Sequence, residues 1–327
     1  MNSSSIVAAS SRRRFRLRRQ PYLLSILVFV LLCAINGILQ PSFFRFDVAA
    51  SNLSAFLPVM LVAVGQTYVI LGSDIDLSAG AIVSLVNVSV ATIIDGMGGS
   101  GAGVALGLAV GLLAGLAAGL LNGLCVAWLR FQPIVTTFAT SLIFSGLALW
   151  VLPEAGKQVP PAFYETYAGN LLGLPTVLWI LIAVAAIGTL LARLRFHHAL
   201  RAVGGNMQAA FQTGLPVARV RITAYVLSGF FSALSGLALV GETGSGDPLI
   251  GGQLTLSSIT AVVLGGTALA GSVGSITGSI LGAFILGLIN NVIFFAHLPF
   301  EWQGLVQGAI ILAALSGGVM MARRRAD

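Results

Sequence analysis

The chain has 327 residues, of which 57% are hydrophobic and 8% are charged, and its formal net charge is +7. Soluble domains carry roughly 25% charged residues, so this composition excludes a soluble enzyme or binding domain. Apolar segments of about 20 residues, the length that a helix needs to cross the hydrocarbon core, recur along the chain and favour helices over a β-barrel. We therefore predict an all-α integral membrane protein.

Apolar runs and the breaks between them predict about ten transmembrane helices. These helices cover residues 21–39, 51–72, 77–94, 103–128, 133–152, 176–192, 220–241, 256–270, 274–295 and 303–321. An even number of helices places both termini on one side, which then holds 15 of the 17 Lys and Arg residues. Because inward-facing loops are rich in Lys and Arg, we predict cytoplasmic termini. The placement of these Lys and Arg residues on the cytoplasmic side explains the net positive charge, so the charge does not indicate a nucleic-acid partner.

This topology divides the chain into three parts. Residues 1–20 form a basic cytoplasmic tail, residues 21–322 a transmembrane domain, and residues 323–327 a second cytoplasmic tail. The largest predicted inner loop covers residues 193–221.

The stretch GSDIDLSAG, residues 72–80, carries two carboxylates between long apolar runs. The topology predicts an inner turn at this point. Asp76 directly precedes LSAGAIVSL and can cap that helix, since Asp at a helix start accepts backbone N–H bonds. Contact with an ATPase or a gate, and a proton relay, are the alternatives for Asp76. Asp74 does not fit a cap, and its role is open.

Glycine recurs at every fourth position through the fourth predicted helix, and a shorter stripe follows in the ninth. The two stripes are Gly103, Gly107, Gly111, Gly115, Gly119 and Gly123, and then Gly274, Gly278 and Gly282. Residues four apart lie on one helix face, and glycine allows a second backbone to approach closely. We predict tight helix packing at both stripes, with a direct role in gating as the alternative.

Polar side chains inside the predicted helices suggest a second feature. Thr137, Ser141 and Ser145 recur at helical spacing in the fifth helix, and Gln66, Asn87 and Asn122 lie in other helices. Together these six side chains could line a polar translocation route. The alternative is ordinary packing, because buried hydroxyls often bond back to their own helix.

The inner loop 193–221 is polar and contains MQAAFQ, which reads as a short helix before Gly214. Asn206 directly precedes MQAAFQ and can cap it. A short helix in the largest inner loop suits docking of a soluble partner, whereas a basic loop that only satisfies topology is the alternative. The sequence contains no GxxxxGK[ST] phosphate-binding loop, so ATP-driven transport would need another subunit.

Four segments together resemble the membrane permease of sugar-type ABC importers, the ribose and xylose class. They are VGQTYVILGSDIDLSAG (64–80), QPIVTTFAT (132–140), RAVGGNMQAAFQTGLPVARVR (201–221) and AVVLGGTALAGSVGSITGSILGAFILGLINN (261–291). They occur in the order and at the spacing of that family. Gln208 stands where the family has Glu, and Asp74 stands where it has Gly.

The resemblance implies the ABC importer permease fold in the bacterial inner membrane, in a subunit without catalytic residues, metal or cofactor. Its partners would be ABC ATPase subunits that bind ATP and magnesium, a periplasmic substrate-binding protein, and a second permease copy or a related permease. The cargo would be a monosaccharide or a related polyol. The alternatives are a nucleoside or branched-chain amino-acid ABC permease and, in another class, a proton-coupled secondary transporter using Asp74 and Asp76.

The resemblance also implies two groups of site residues. The ATPase-coupling loop would include Arg201, Gly204, Gly205, Asn206, Gln208, Ala209, Ala210 and Gly214. The signature turn would comprise Asp74, Asp76, Ser78 and Gly80.

Overall fold

The computed structural model describes residues 21–299 and 301–312. Its α-helices are α1 (Pro21–Leu39), α2 (Phe46–Leu71), α3 (Ala79–Gly96), α4 (Gly101–Gly123), α5 (Pro133–Val151), α6 (Pro161–Ala168), α7 (Thr176–Arg193), α8 (Arg195–Gly205), α9 (Met207–Gln212), α10 (Val217–Thr243), α11 (Leu254–Leu264) and α12 (Ile276–Phe295). A π-helical turn (Leu124–Trp128) continues α4, and residues 301–312 are helical.

Four two-residue strands lie outside the helices: β1 (Lys157–Gln158), β2 (Asn170–Leu171), β3 (Leu174–Pro175) and β4 (Ser245–Gly246). β1 pairs antiparallel with β4, and β2 pairs antiparallel with β3. The β1–β4 pair joins the segment after α5 to the segment after α10.

Seven of the described helices are long and apolar enough to cross a membrane, which confirms the prediction of a helical membrane protein. They are α2, α3, α4 with its π-helical turn, α5, α7, α10 and α12. Two further apolar helices, Ser25–Leu39 within α1 and α11, are shorter over the described residues. The two tails and residues 313–321 of the predicted helix 303–321 lie outside the described residues, so the number ten and the side of the termini stay predictions.

The predicted helix 256–270 is wrong in its extent. α11 begins at Leu254 and ends after 11 residues at Leu264. Glycine explains this end, because Gly266 and Gly271 have φ values of +81° and +86°, a region that side chains with a Cβ avoid. The segment 244–253 before α11 is largely turn rather than helix.

The core is built around α2 and α10. Every residue of α2 from Met60 to Leu71 is buried, as expected of a helix that is apolar on all sides. α10 lies against α2 on one side and against α3 and α4 on the other, while α1 packs on α12. Helices far apart in sequence therefore meet at the centre of the bundle.

The glycine stripe of α4 packs closely on two helices, which confirms the predicted close packing. Its first three glycines lie against α3 and the turn after it, and its last three, Gly115, Gly119 and Gly123, lie against α10. A Cβ atom at Gly119 would lie 2.4 Å from the carbonyl oxygen of Tyr225, and one at Gly115 would lie 2.5 Å from the Cβ atom of Ala233. Gly229 of α10 completes the contact, since its own Cβ would lie 2.1 Å from the carbonyl oxygen of Gly115. The two backbones touch directly.

The shorter stripe is also packed tightly. A Cβ atom at Gly274 would lie 2.4 Å from the Thr267 side chain, and one at Gly282 would lie 1.9 Å from the carbonyl oxygen of Ala261. A Cβ at Gly265 would likewise lie 2.2 Å from the carbonyl oxygen of Gly278. Glycine thus lets α12 approach α11 and the loop that joins them.

We expect Gly119→Ala to destabilise the protein by about 1–3 kcal/mol, the usual cost of overpacking a tight contact. Gly101→Ala in the same helix is the matched control, because a Cβ there meets no atom within 4 Å. The measurement is the midpoint of thermal unfolding in detergent. Equal midpoints for the two variants would contradict the packing role of the stripe.

Candidate functional site

The chain folds back into the bundle after α2. α2 ends at Leu71, and residues 72–78, here called the re-entrant segment, run back along it. The Gln66 amide, oriented with its nitrogen toward the Asp76 carbonyl oxygen, pairs with both backbone polar groups of Asp76 at 3.3 and 3.2 Å. α3 then begins at Ala79, which packs against Val62 of α2. The re-entrant segment therefore places Asp76 well inside the end of α2.

The Asp76 carboxylate is fully buried and accepts three hydrogen bonds. Its Oδ1 accepts from the Ser78 backbone nitrogen at 2.9 Å and from Ser78 Oγ at 2.6 Å. Its Oδ2 accepts from Ser228 Oγ of α10 at 2.8 Å. All three donors are neutral.

The prediction that Asp76 is the N-cap of α3 is wrong. The N-cap residue of α3 is Ser78, and Asp76 lies two residues earlier in the chain. The carboxylate does accept a backbone N–H, but that N–H belongs to Ser78 and precedes the helix. The physical reason is the re-entry of the chain, which takes Asp76 into the bundle among hydroxyl and amide groups that replace water.

Hydrogen bonds continue from Ser78 into two more helices. Asn122 Nδ2 of α4 donates to Ser78 Oγ at 2.7 Å, and Thr140 Oγ1 of α5 donates to Asn122 Oδ1 at 2.7 Å. We call Gln66, Asp76, Ser78, Asn122, Thr140 and Ser228 the Asp76 network. This network joins the re-entrant segment to α2, α4, α5 and α10, and all its members are buried.

The predicted route residues do not form one group. Gln66 and Asn122 belong to the Asp76 network, and Thr137 Oγ1 accepts a bond from the Leu77 backbone nitrogen at 3.0 Å. Asn87 lies elsewhere along α3, where its Oδ1 accepts from the Asp247 backbone nitrogen at 2.8 Å.

Ser141 and Ser145 lie further along α5 and are half-buried. Ser141 Oγ bonds back to the Phe138 carbonyl oxygen at 2.6 Å, the behaviour that the packing alternative predicts. The sequence interpretation missed Thr140 and Ser228. Thr140 stands three residues after Thr137 in the same polar stretch, so its spacing was a usable signal. Ser228 gives no signal beyond a hydroxyl in a long apolar helix.

Asp74 is explained by an ion pair. Arg221, in the second turn of α10, donates from Nε to Asp74 Oδ2 and from Nη2 to Asp74 Oδ1, both at 2.9 Å. The exposed fractions of the two side chains are only 11% for Arg221 and 6% for Asp74. Two parallel bonds of this kind are the strongest pairing that a carboxylate and a guanidinium make. The pair ties the start of α10 to the re-entrant segment.

Ser73 makes a second tie to the re-entrant segment. Ser73 Oγ lies 2.7 Å from the Gly204 carbonyl oxygen of α8 and 2.8 Å from the Ala270 carbonyl oxygen. Arg201 Nε of α8 donates to the Ser272 carbonyl oxygen at 2.8 Å. Because a Cβ at Gly204 would lie 1.9 Å from the Leu71 carbonyl oxygen, only glycine fits there.

Gly80 completes the signature turn with another close approach. Its backbone nitrogen donates to Thr255 Oγ1 of α11 at 2.9 Å. A Cβ at Gly80 would lie 2.2 Å from the Gly251 carbonyl oxygen, so glycine is required for the chain 244–253 to pass beside α3.

The predicted inner loop is mostly helical. Its ends, Arg193 and residues 217–221, belong to α7 and α10, and α8 and α9 lie between them. The predicted helix MQAAFQ is confirmed as α9, and so is its cap, since Asn206 Oδ1 accepts from the Ala209 backbone nitrogen at 2.9 Å. Gly214 follows with a φ of +82°.

α9 projects from the bundle. Ala210 is buried, whereas Gln208 and Ala209 are exposed and Phe211 exposes 70% of its surface. Met207, four residues earlier, exposes 38% of its surface, so two apolar side chains share one face of α9. Both ends of this helical loop reach the re-entrant segment, through Ser73 before α9 and through Asp74 after it.

Residues 48–315 match the family model described as branched-chain amino acid transport system / permease component. The chain is 37% identical over 290 residues to the ribose import permease protein RbsC of Bacillus subtilis, with 87% of this chain and 88% of that protein covered. No solved structure matches.

A second relative is the autoinducer 2 import system permease protein LsrC of Yersinia enterocolitica, 32% identical over 295 residues, with 89% of this chain and 80% of that protein covered. The same protein of Yersinia pestis is also 32% identical over 295 residues. These matches confirm the resemblance drawn from the four sequence segments and the multi-pass inner-membrane location. The chain belongs to the family of branched-chain amino acid transport system permease components.

Proposed function

We propose that this chain is the permease subunit of an ATP-driven importer that moves a monosaccharide or a related polyol across the bacterial inner membrane. The observation that carries the proposal is the family match over residues 48–315 together with two relatives named as import permeases. Ten membrane-spanning helices with cytoplasmic termini complete the proposal.

The partners are proposed from the same match and from α9. An ABC ATPase, which binds ATP and magnesium, docks on the loop that carries Arg201, Gly204, Gly205, Asn206, Gln208, Ala209, Ala210 and Gly214. A periplasmic binding protein delivers the solute at the opposite face, and a second permease copy or a related permease completes the pore. The exposed Phe211 gives the ATPase an apolar side chain to bury.

The contacts suggest how movement of α9 reaches the membrane interior. α8 is bonded to Ser73, and α10 is paired with Asp74 through Arg221, so both ends of the loop hold the re-entrant segment. The re-entrant segment carries Asp76, whose network joins four helices. Displacement of the loop by an ATPase would therefore act on the Asp76 network. Of the predicted route residues, Ser145, which is half-buried, is the better candidate for lining the route.

A second candidate function rests on Asp76 itself. A buried carboxylate whose hydrogen-bond donors are all neutral is a group that can take up a proton, as in a proton-coupled secondary transporter. In a proton-coupled transporter, Asp76 must gain and lose a proton during transport. In the importer, Asp76 serves only as a hydrogen-bond acceptor that holds the network together.

The test is affinity purification of the tagged chain from its native membrane, followed by an ATPase assay of the eluate. We expect an ATPase to co-purify, and we expect Phe211→Arg to remove it, because a charged side chain would replace a buried aromatic contact at a cost of about 2 kcal/mol or more. Leu172→Arg is the control, since Leu172 is exposed in the segment between α6 and α7.

Two results would contradict the proposal. Purification of the chain without any ATPase, combined with uptake driven by a proton gradient in liposomes, would favour the second candidate. Loss of the ATPase from both arginine variants would show that the effect of Phe211→Arg is not specific to α9.

A further inference from the structure

The chain between α10 and α11, residues 244–253, runs beside α3 without forming a helix. We call it the broken segment. A Cβ at Gly246 would lie 2.8 Å from the Ala91 side chain, and the Asp247 backbone nitrogen donates to Asn87. Further along, the Gly251 backbone nitrogen donates to Ser84 Oγ at 2.9 Å. The broken segment thus follows α3 from its second half back to its first turn.

This path takes the broken segment deep into the bundle. The stretch of α3 between Ala91 and Gly80 is about 16 Å long, which is roughly half the thickness of the hydrocarbon core. α11 then begins at Leu254, which packs with Ala79 against Val62, a residue in the interior of α2. Non-helical backbone and the first turns of α3 and α11 therefore meet inside the predicted membrane region.

The broken segment has one buried edge and one exposed edge. Gly246, Pro248 and Gly251 are buried against the protein, and α3 side chains satisfy backbone nitrogens on that edge. The opposite edge exposes Leu249, Gly252 and Gln253, and Leu256 in the first turn of α11 continues this exposed edge. Within the described chain, the Gln253 amide has no hydrogen-bond partner.

Irregular backbone at membrane depth is tolerated where it is buried in protein or borders a water-filled cavity, because lipid cannot satisfy its polar groups. If the exposed edge faced lipid, its backbone polar groups would be neither buried in protein nor in contact with water. An exposed amide beside glycine also suits water better than a hydrocarbon surface.

We propose that the exposed edge of the broken segment borders the water-filled route of the transporter and that the Gln253 amide contacts the passing solute. This inference rests on the proposed function. An amide offers two donors and one acceptor oxygen, which match the hydroxyl groups of a neutral solute. The only carboxylate of the broken segment, Asp247, is half-buried and its Oδ1 accepts from the Leu249 backbone nitrogen at 2.8 Å.

The test is thiol labelling of the purified complex in liposomes. Cys33 and Cys125 are first replaced by alanine, and Gln253→Cys or Leu256→Cys is then introduced. The probe is a negatively charged methanethiosulfonate, applied with and without ATP and vanadate. Leu113→Cys, in the middle of α4 and exposed on that helix, is the control.

We expect both edge variants to react about tenfold or more faster than Leu113→Cys in at least one condition. The reason is that a thiol in lipid has a raised pKa, and each pKa unit removes about nine-tenths of the reactive thiolate. We also expect labelling of Gln253→Cys to lower ATP-driven uptake.

Labelling of both edge variants no faster than that of Leu113→Cys would overturn the inference. Slow labelling combined with a disulfide between two copies of Gln253→Cys would also overturn it, because the edge would then be a subunit contact. The proposed function fails differently: the cysteine-free parent would show no ATPase activity and no ATP-driven uptake.

Discussion

Asp76→Ala will abolish transport and lower stability, whereas Asp76→Asn will keep ATP-driven uptake. Alanine leaves the Ser78 backbone nitrogen and the hydroxyls of Ser78 and Ser228 without their acceptor, and each buried unsatisfied group costs about 1–3 kcal/mol. Asparagine keeps one acceptor oxygen for Ser78, and its amide nitrogen can donate to the Ser228 hydroxyl. Uptake in liposomes and the midpoint of thermal unfolding are the two measurements.

The asparagine variant also separates the two candidate functions. Asparagine does not titrate, so a proton-coupled transporter would lose uptake with this change while its stability stayed close to that of the wild type. Ser84→Ala is a control for loss of a buried hydroxyl outside the Asp76 network, since Ser84 bonds Gly251 instead. Equal loss of stability in Asp76→Ala and Ser84→Ala would contradict the central role given to the carboxylate.

Arg221→Ala will destabilise the protein by about 3–5 kcal/mol, because it leaves the Asp74 carboxylate buried and unpaired. The double variant Asp74→Ala/Arg221→Ala will be more stable than Arg221→Ala alone, since no uncompensated charge remains. Arg221→Lys will fall between the single variant and the wild type, because lysine keeps the charge but loses the two parallel bonds. Unfolding midpoints of the four proteins give the comparison.

Arg45→Ala is the matched control for this series. Arg45 pairs with Asp47 at 3.0 Å, but the exposed fractions of the two side chains are 69% and 64%. An exposed pair contributes about 0–1 kcal/mol, so this variant should unfold close to the wild type. A double variant no more stable than Arg221→Ala would show that Arg221 acts through packing rather than through Asp74.

Local patterns were sufficient to predict many of the elements. Long apolar runs predicted α2, α5 and α12, and the Asn206 cap with MQAAFQ predicted α9. Each of these features depends on residues that are neighbours in the chain, so propensity, capping and periodicity can reveal it. The glycine stripe predicted a close contact for the same reason, although its partner helix was not evident.

The candidate site depends on contacts between distant residues, and there the sequence was less informative. Asp74 looked unexplained because its partner, Arg221, is 147 residues away. Asp76 looked like a cap because the sequence does not show that the chain turns back along α2. α11 looked longer because apolar residues continue past Leu264, where glycines with positive φ end the helix.

The distance in sequence between the two aspartates and their partners has a consequence for biosynthesis. Asp74 and Asp76 are synthesised 147 and 152 residues before Arg221 and Ser228. At about 5–20 residues per second, the nascent chain waits roughly 7–30 s for those partners. Until α10 is synthesised, Asp74 has no arginine partner and Asp76 has only its bonds from Ser78 and Gln66, so the re-entrant segment reaches its final set of contacts late in synthesis.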